Sequence, residues 1–200
     1  MRLLEREIGD IPIILGSGSP RRKEILSQVG IPYTVMVSQV EEVLTKTKPD
    51  QVVMELAEQK GMDVASRVTD GLIIGADTVV AVDNKILGKP KDEAQASNML
   101  HELSGCTHSV FTGVCIILKK DDQIVDKSIF CEETKVTMYP LTKEEIEDYI
   151  QGGEPMDKAG AYGIQGEAGM FIEKIDGDYY NVVGLPIGRL IREIKRVCKK

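Results

Sequence analysis

A short basic segment near the N-terminus has residue types suited to holding an anion. The apolar run Ile13–Leu15 is typical of a buried strand, and glycines in residues 16–22 then allow the chain to turn tightly. Ser19 is expected to cap a helix that begins at Pro20, although this pair alone is also ordinary helix-start punctuation. The two arginines that end the segment add positive charge to an already positive helix end, which predicts a phosphate-binding site.

A single acid, Asp77, interrupts the apolar run of residues 71–82. An acid buried in a strand is costly unless it meets a metal, a charged partner or a substrate. The alternative is an exposed acid that caps a turn at the strand end. Glu41 and Glu42 could join Asp77 in holding Mg²⁺ or Mn²⁺, although two adjacent acids are also typical of a solvated loop.

Two lysines and a glutamine extend this chemistry. Lys60 lies in a predicted helix and Lys89 follows a predicted hairpin, so either could neutralise phosphate charge, although isolated lysines are usually surface residues. Residues 154–166 are too rich in glycine for a regular element and too long for a turn, which indicates a functional loop. Within it, Gln165 offers the donor and acceptor needed to read the edge of a nucleobase.

The composition limits the classes of protein that fit. The chain has 200 residues, 42% hydrophobic residues and a net charge of -7, which predicts one domain over residues 1–200 and no nucleic-acid partner. No apolar run is long enough to span a membrane, and the first residues lack the core of a signal peptide. Four cysteines without paired spacing are read as reduced thiols of a cytoplasmic protein.

Turn and capping signals predict an α/β fold. Helices are expected to begin near Pro20, Pro49, Asp92, Thr142 and Pro186, with a capping box at residues 142–145. Strands are expected at residues 33–37, 71–82, 110–118, 124–136, 170–175 and 179–183, with hairpin turns at residues 83–84 and 121–122. Because strands and helices do not alternate strictly, we predict a single domain with a mixed twisted sheet flanked by helices.

In this order, the motifs resemble those of the Maf family of nucleoside triphosphate pyrophosphatases. The resemblance rests on residues 17–22, 75–78, 88–90, 103–105, 154–166, 176–180 and 183–186. It implies an inosine-triphosphatase-like architecture with a central cleft, and it leaves residues 1–10 as an extension. Arg21 favours the branch that acts on dTTP and UTP, with CTP or modified pyrimidine nucleotides as further candidates, because the 7-methyl-GTP branch has an aromatic residue there. A purine-directed pyrophosphatase and a non-catalytic regulator of cell division are the alternatives.

The resemblance also implies roles for ten residues. The expected catalytic residues are Asp77, Lys60 and Lys89; the expected substrate-binding residues are Ser17, Ser19, Arg21, Arg22, Thr78 and Gln165; and the expected metal ligands are Glu42 and Asp77. The implied cofactor is a divalent metal, Mg²⁺, Mn²⁺ or Co²⁺, and the implied assembly is a homodimer. Gly61 departs from the alanine that is common in the family, which predicts a slightly weaker helix around Lys60.

Overall fold

A mixed seven-stranded sheet forms the centre of the structure, a computed structural model that describes residues 9–83 and 85–199. The strands of this described part are β1 (Ile13–Leu15), β2 (Thr34–Val35), β3 (Gly71–Val82), β4 (Lys85–Leu87), β5 (Thr107–Lys120), β6 (Gln123–Met138) and β7 (Ile172–Asp176). Their order is β2-β1-β3-β5-β6-β7, with β4 also paired to β3. Strand β1 is parallel to β2 and β3, whereas the other pairs are antiparallel. The predicted mixed sheet is therefore confirmed.

Helices cover both faces of this sheet. They are α1 (Pro20–Gln28), α2 (Pro49–Ala65), α3 (Glu93–Leu103), α4 (Lys143–Gln151), α5 (Tyr179–Val183) and α6 (Ile187–Cys198). Helices α1 and α6 pack on one face through Leu26 and Leu190, and α2 packs on the other face through Val64. A separate apolar cluster joins α3 and α4 to the β4 end of the sheet. No helix in the described part of the chain has the length and apolar character needed to cross a membrane.

Helix α2 lies in unusually close contact with the sheet because glycines face it. A Cβ atom added at Gly75 would lie 2.7 Å from the main-chain nitrogen of Gly61, and one added at Gly113 would lie 2.6 Å from that of Met54. One added at Gly61 would lie 3.2 Å from Cys115 Sγ. A methyl group at residue 61 would therefore fit only if the side chains of Cys115 and Ile117 shifted slightly. This contact brings Lys60 of α2 close to Asp77 of β3.

The cleft lies at a gap along one edge of β3. Strand β1 pairs with residues 72–74 of β3, and β4 pairs with residues 80–82 on the same edge, opposite β5. Residues 75–79 lie between them, and no strand of the described residues pairs with them on that side. A strand edge of this kind leaves main-chain groups free for other partners.

Several sequence predictions need correction at this level. Residues 179–183 form helix α5 rather than a strand, because the Asp178 side chain caps it by accepting a hydrogen bond from the Tyr180 main-chain N–H at 2.8 Å. Ser19 is the N-cap residue of α1, but its side chain makes no capping hydrogen bond. The strand predicted at residues 33–37 is only Thr34–Val35, and the strand predicted at residues 170–175 is Ile172–Asp176. The Thr142–Glu145 capping box is confirmed. Asn84 and most of the predicted extension, residues 1–8, lie outside the described residues.

Candidate functional site

All ten residues to which the family resemblance assigns a role line one cleft of about 540 Å³. It opens at the gap in the edge of β3 and is bounded by residues 16–22, by α2 and by the segment after α4. Glu41 does not line it, whereas Glu42 does. Ser17 and Gln165, the most distant of these residues in the sequence, are 148 positions apart and yet line the same cleft.

A lysine between two acids forms the charged centre of the cleft. Lys60 Nζ lies 2.6 Å from Asp77 Oδ1 and 2.9 Å from Glu42 Oε1. The side chains of Lys60 and Asp77 are only 17% and 15% exposed, so this pair is shielded from water far more than a surface ion pair. Asp77 is thus an internal residue of β3 with a charged partner, and the exposed turn-capping alternative is wrong.

The chemistry of these oxygens fits a hard divalent cation only in part. Two carboxylates are available, and within residues 9–83 and 85–199 no third acid, histidine or cysteine completes a group that could hold a metal. Mg²⁺ is commonly bound through one or two carboxylates together with substrate phosphates. Glu42 and Asp77 therefore fit the carboxylate part of such a site, in which substrate phosphates would supply the remaining ligands.

Arg22 turns away from solvent and binds the protein itself. Its Nε donates to the Gly184 carbonyl at 2.8 Å, its Nη1 to Ser17 Oγ and the Ala76 carbonyl at 3.0 Å each, and its Nη2 to Thr78 Oγ1 at 3.1 Å. The Ala76 carbonyl belongs to the unpaired edge of β3, so Arg22 occupies the place of a missing strand. Burial lowers the pKa of Arg22, and the nearby charge of Asp77 opposes that effect. At most one of its five N–H groups remains for a ligand.

Arg21 has a different environment although it is the next residue. Its Nη1 lies 3.1 Å from Asp157 Oδ2, across the mouth of the cleft, and its side chain is 31% exposed. Asp157 also accepts a hydrogen bond from Lys158 Nζ at 2.7 Å. The Lys158 bond and the Arg21 bond lower the pKa of Asp157. A ligand can therefore bind Arg21 by displacing its exposed partner, Asp157.

Ser17 is prepared to donate a hydrogen bond into the cleft. Its Oγ accepts from Arg22 Nη1 at 3.0 Å and from the Ser19 main-chain N–H at 3.3 Å. A hydroxyl has two lone pairs and one hydrogen, so these two bonds leave the hydrogen. An anionic oxygen is the partner that such a group suits.

The segment after α4 forms the opposite side of the cleft. It consists of the 3₁₀ turns Glu154–Asp157, Ala159–Ala161 and Glu167–Phe171, with Gln165 exposed at the rim. The Glu154 carboxylate closes the segment by accepting hydrogen bonds from the Tyr149 hydroxyl at 3.0 Å and the Glu167 main-chain N–H at 2.9 Å. Burial, followed by the charge of Glu154, raises the pKa of Tyr149.

Sequence reasoning missed Tyr149 and Glu154 as residues that shape the site. A Cβ atom at Gly166 would collide with the Glu154 carboxylate, so the glycines of residues 163–166 were the signal that a side chain lies against that main chain. Lys89 was found correctly as a cleft residue, and it is exposed at the rim.

Comparisons with known proteins bear on the family and on the fold. Residues 12–197 match the model of the Maf family, Maf-like protein. The chain is 55% identical over 185 residues to a dTTP/UTP pyrophosphatase of Lachnoclostridium phytofermentans, covering 92% of this chain and 94% of the relative. It is 53% identical to a dTTP/UTP pyrophosphatase of Bacillus cereus with the same coverage. The fold also resembles the Staphylococcus aureus Ham1 protein, with a TM-score of 0.53 at 13% identity over 92% of this chain and 98% of that one.

Proposed function

Because this chain belongs to the Maf family, we propose that it is a nucleoside triphosphate pyrophosphatase that hydrolyses dTTP and UTP. One observation carries the proposal: the Asp77–Lys60 pair, the two arginines and the Ser17 hydroxyl converge on one cleft. That cleft offers cationic and donor groups for a triphosphate beside a carboxylate for the chemistry. The relatives named dTTP/UTP pyrophosphatase support the choice of bases.

The reaction consumes water and releases pyrophosphate. A water oxygen bonds to the α-phosphorus while the bond from that phosphorus to the α,β-bridging oxygen breaks, giving the monophosphate and pyrophosphate. Asp77 accepts the proton of the attacking water. In the alternative, Asp77 would hold a cation that activates this water. Lys60, Lys89 and Arg21 offset the negative charge that grows on the leaving oxygens.

A divalent cation, Mg²⁺, Mn²⁺ or Co²⁺, is part of this proposal. Glu42 and Asp77 would hold it together with the triphosphate, and it would neutralise charge on the phosphate oxygens. The remaining parts of the proposal are a cytoplasmic location, a homodimer, and neither nucleic acid nor membrane as a partner.

The proposal is tested by pyrophosphate release from a panel of nucleotides with and without divalent metal. We expect dTTP and UTP to be hydrolysed well above ATP and GTP, and the activity to disappear with a chelator and return with Mg²⁺, Mn²⁺ or Co²⁺. Asp77→Asn keeps the shape and removes the charge, and should lower kcat by about 10²- to 10⁴-fold. Asp176→Asn, at the exposed end of β7, is the matched control and should leave kcat unchanged.

Three outcomes would overturn the proposal. Preferred hydrolysis of 7-methyl-GTP would indicate the purine-directed alternative. A wild-type protein that releases no pyrophosphate from any nucleotide would favour a non-catalytic regulator. An Asp77→Asn variant as active as Asp176→Asn would remove Asp77 from the chemistry.

A further inference from the structure

A chain of hydrogen bonds leads from Arg22 through β3 and β5 to α5. Arg22 Nη2 lies 3.1 Å from Thr78 Oγ1, which lies 2.9 Å from Thr112 Oγ1. Thr112 Oγ1 in turn lies 2.9 Å from the carbonyl oxygen of Asn181. Thr78 and Thr112 stand directly opposite each other in the register of β3 and β5. Thr112 is fully buried and does not line the cleft, whereas Thr78 does.

The direction of every bond in this chain follows from counting hydrogens. A carbonyl oxygen only accepts, so Thr112 must donate its single hydroxyl hydrogen to the main-chain carbonyl of Asn181. Toward Thr78, Thr112 can then only accept, so Thr78 must donate its own hydroxyl hydrogen to Thr112. Arg22 only donates, so it occupies one of the two lone pairs of Thr78.

Thr78 is thereby left with one lone pair and no hydrogen for a ligand. This is the reverse of Ser17, whose lone pairs are occupied and whose hydrogen is free. A phosphate oxygen suits Ser17 and would be repelled at Thr78. The group that contacts Thr78 must itself donate a hydrogen bond.

The family resemblance implies that Thr78 is one of the residues that decide which base is accepted. We infer that Thr112 is a positioning residue that keeps Thr78 an acceptor, so that Thr78 accepts the N3–H group of uracil or thymine. This inference rests on the proposed function and deepens it. Cytosine carries a lone pair at N3 instead of a hydrogen. This lone pair would face the lone pair of Thr78 and be repelled by it. A buried polar group that is left unpaired or opposed discriminates strongly between such analogues. CTP, a candidate substrate according to the family resemblance, is therefore a poor substrate.

The experiment measures kcat/KM for UTP and for CTP in the wild type and three variants. We expect the wild type to favour UTP by about tenfold or more. Thr112→Val frees the hydrogen of Thr78, which can then turn toward the cleft and donate to cytosine N3. The UTP/CTP ratio should fall by about tenfold, through loss on UTP and gain on CTP. Thr112→Ser keeps the hydroxyl and should restore the ratio of the wild type.

Thr134→Val is the matched control for a merely structural effect. Thr134 is fully buried on β6 and bonds Asp178 and Asn181, but it does not bond Thr78. This variant should lose stability while its UTP/CTP ratio stays that of the wild type. An equal change in the ratio for Thr112→Val and Thr134→Val would overturn the inference.

Other outcomes also decide the question. A parallel fall for UTP and CTP in Thr112→Val would mean that Thr78 accepts from a sugar hydroxyl, which overturns the assignment to the base. If Thr112→Val does not fold, the wild type is tested with 3-methyl-UTP, which lacks the N3–H, against 5-methyl-UTP, which keeps it. Equal use of these two would overturn the inference. A wild type inactive on every nucleotide would instead refute the proposed function.

Discussion

The two walls of the cleft are built in different ways. The first wall consists of residues 16–22, α2 and β3, and the second wall consists of residues 153–171. The first wall depends on close main-chain contact at Gly75 and on the buried guanidinium of Arg22. The second wall is a series of 3₁₀ turns closed by the side-chain bonds of Glu154.

We therefore expect the first wall to be rigid and the second wall to adapt to a ligand. Main-chain contacts cannot be relieved by rotating a side chain, so a defect in the first wall should reduce stability and catalysis together. Bonds between partly exposed side chains are weaker and can be replaced by water. A defect in the second wall should therefore affect substrate binding more than folding.

The largest effect is expected from Gly75→Ala in the first wall. The added methyl would overlap the main chain of α2 around Ala57 and Gly61, which can move only if the helix moves. We expect the free energy of unfolding to fall by about 3 kcal/mol or more, measured by denaturant titration. Gly88→Ala is the control, since a Cβ there meets nothing within 4 Å. Equal stability of the two variants would mean that α2 is not in rigid contact with β3.

Arg22→Lys should have the next largest effect. An ammonium cannot reproduce the planar fork that reaches Gly184, Ala76, Ser17 and Thr78, and it leaves buried acceptors unpaired. We expect a loss of about 2–3 kcal/mol in unfolding free energy and at least a tenfold loss in kcat/KM. Arg21→Lys alters only an exposed ion pair and should cost at most about 1 kcal/mol. Similar losses of stability for both would show that the two arginines are not as different as their environments indicate.

Glu154→Ala tests the second wall. This change removes the carboxylate that accepts from the Tyr149 hydroxyl and the Glu167 N–H, so both closing bonds are lost. We expect a stability loss of about 1–2 kcal/mol, with KM for UTP rising several-fold while kcat changes less. Exposed Glu167→Ala is the control and should leave both constants unchanged. A fall in kcat at constant KM would contradict the assignment of this wall to substrate binding.

The smallest effect concerns pH. His108 is buried against Tyr162 of the second wall, with its Nε2 2.8 Å from the Tyr162 hydroxyl, and burial lowers its pKa to about 4. Between about pH 6.5 and pH 4, His108 is protonated in the unfolded chain but stays neutral in the folded chain. The free energy of unfolding therefore falls as the pH falls. Between pH 7 and pH 5.5 this residue should account for a loss of about 1 kcal/mol.

His108→Gln isolates that contribution, because the other titrating groups remain. The stability loss between pH 7 and pH 5.5, measured by denaturant titration, should be about 1 kcal/mol smaller than in the wild type. His101→Gln, at an exposed position, is the control and should show the loss of the wild type. Identical pH dependence in all three proteins would mean that His108 titrates normally.

Local patterns allowed the regular elements to be predicted well. Residues 71–82 were predicted as one strand and form β3 with those bounds, because a continuous apolar run bounded by glycine and a turn needs no distant partner to be recognised. Helix α5 was mistaken for a strand because its β-branched and aromatic residues favour strands. Its buried Asn181 bonds Val110 and Thr134, whose proximity no local pattern reveals.

The residue types of the candidate site were predictable from the sequence, but the contacts between these residues were not. Asp77, Lys60 and Arg22 were identified from their chemistry and from the family resemblance, and all line the cleft. That Lys60 pairs with Asp77 depends on the close contact of α2 with Gly75. Thr112 has no distinguishing neighbour in the sequence, because its role comes from its register with Thr78.

Local sequence patterns were sufficient to predict most of the strands and helices, the charged and hydroxyl groups available, and the family resemblance, because these depend on residues close together in the chain. Packing between distant segments was needed to show that Arg22 is buried whereas its neighbour Arg21 remains accessible to a ligand. It also decided which hydroxyl donates and which accepts, because a hydroxyl has one hydrogen and its distant neighbours determine where that hydrogen goes.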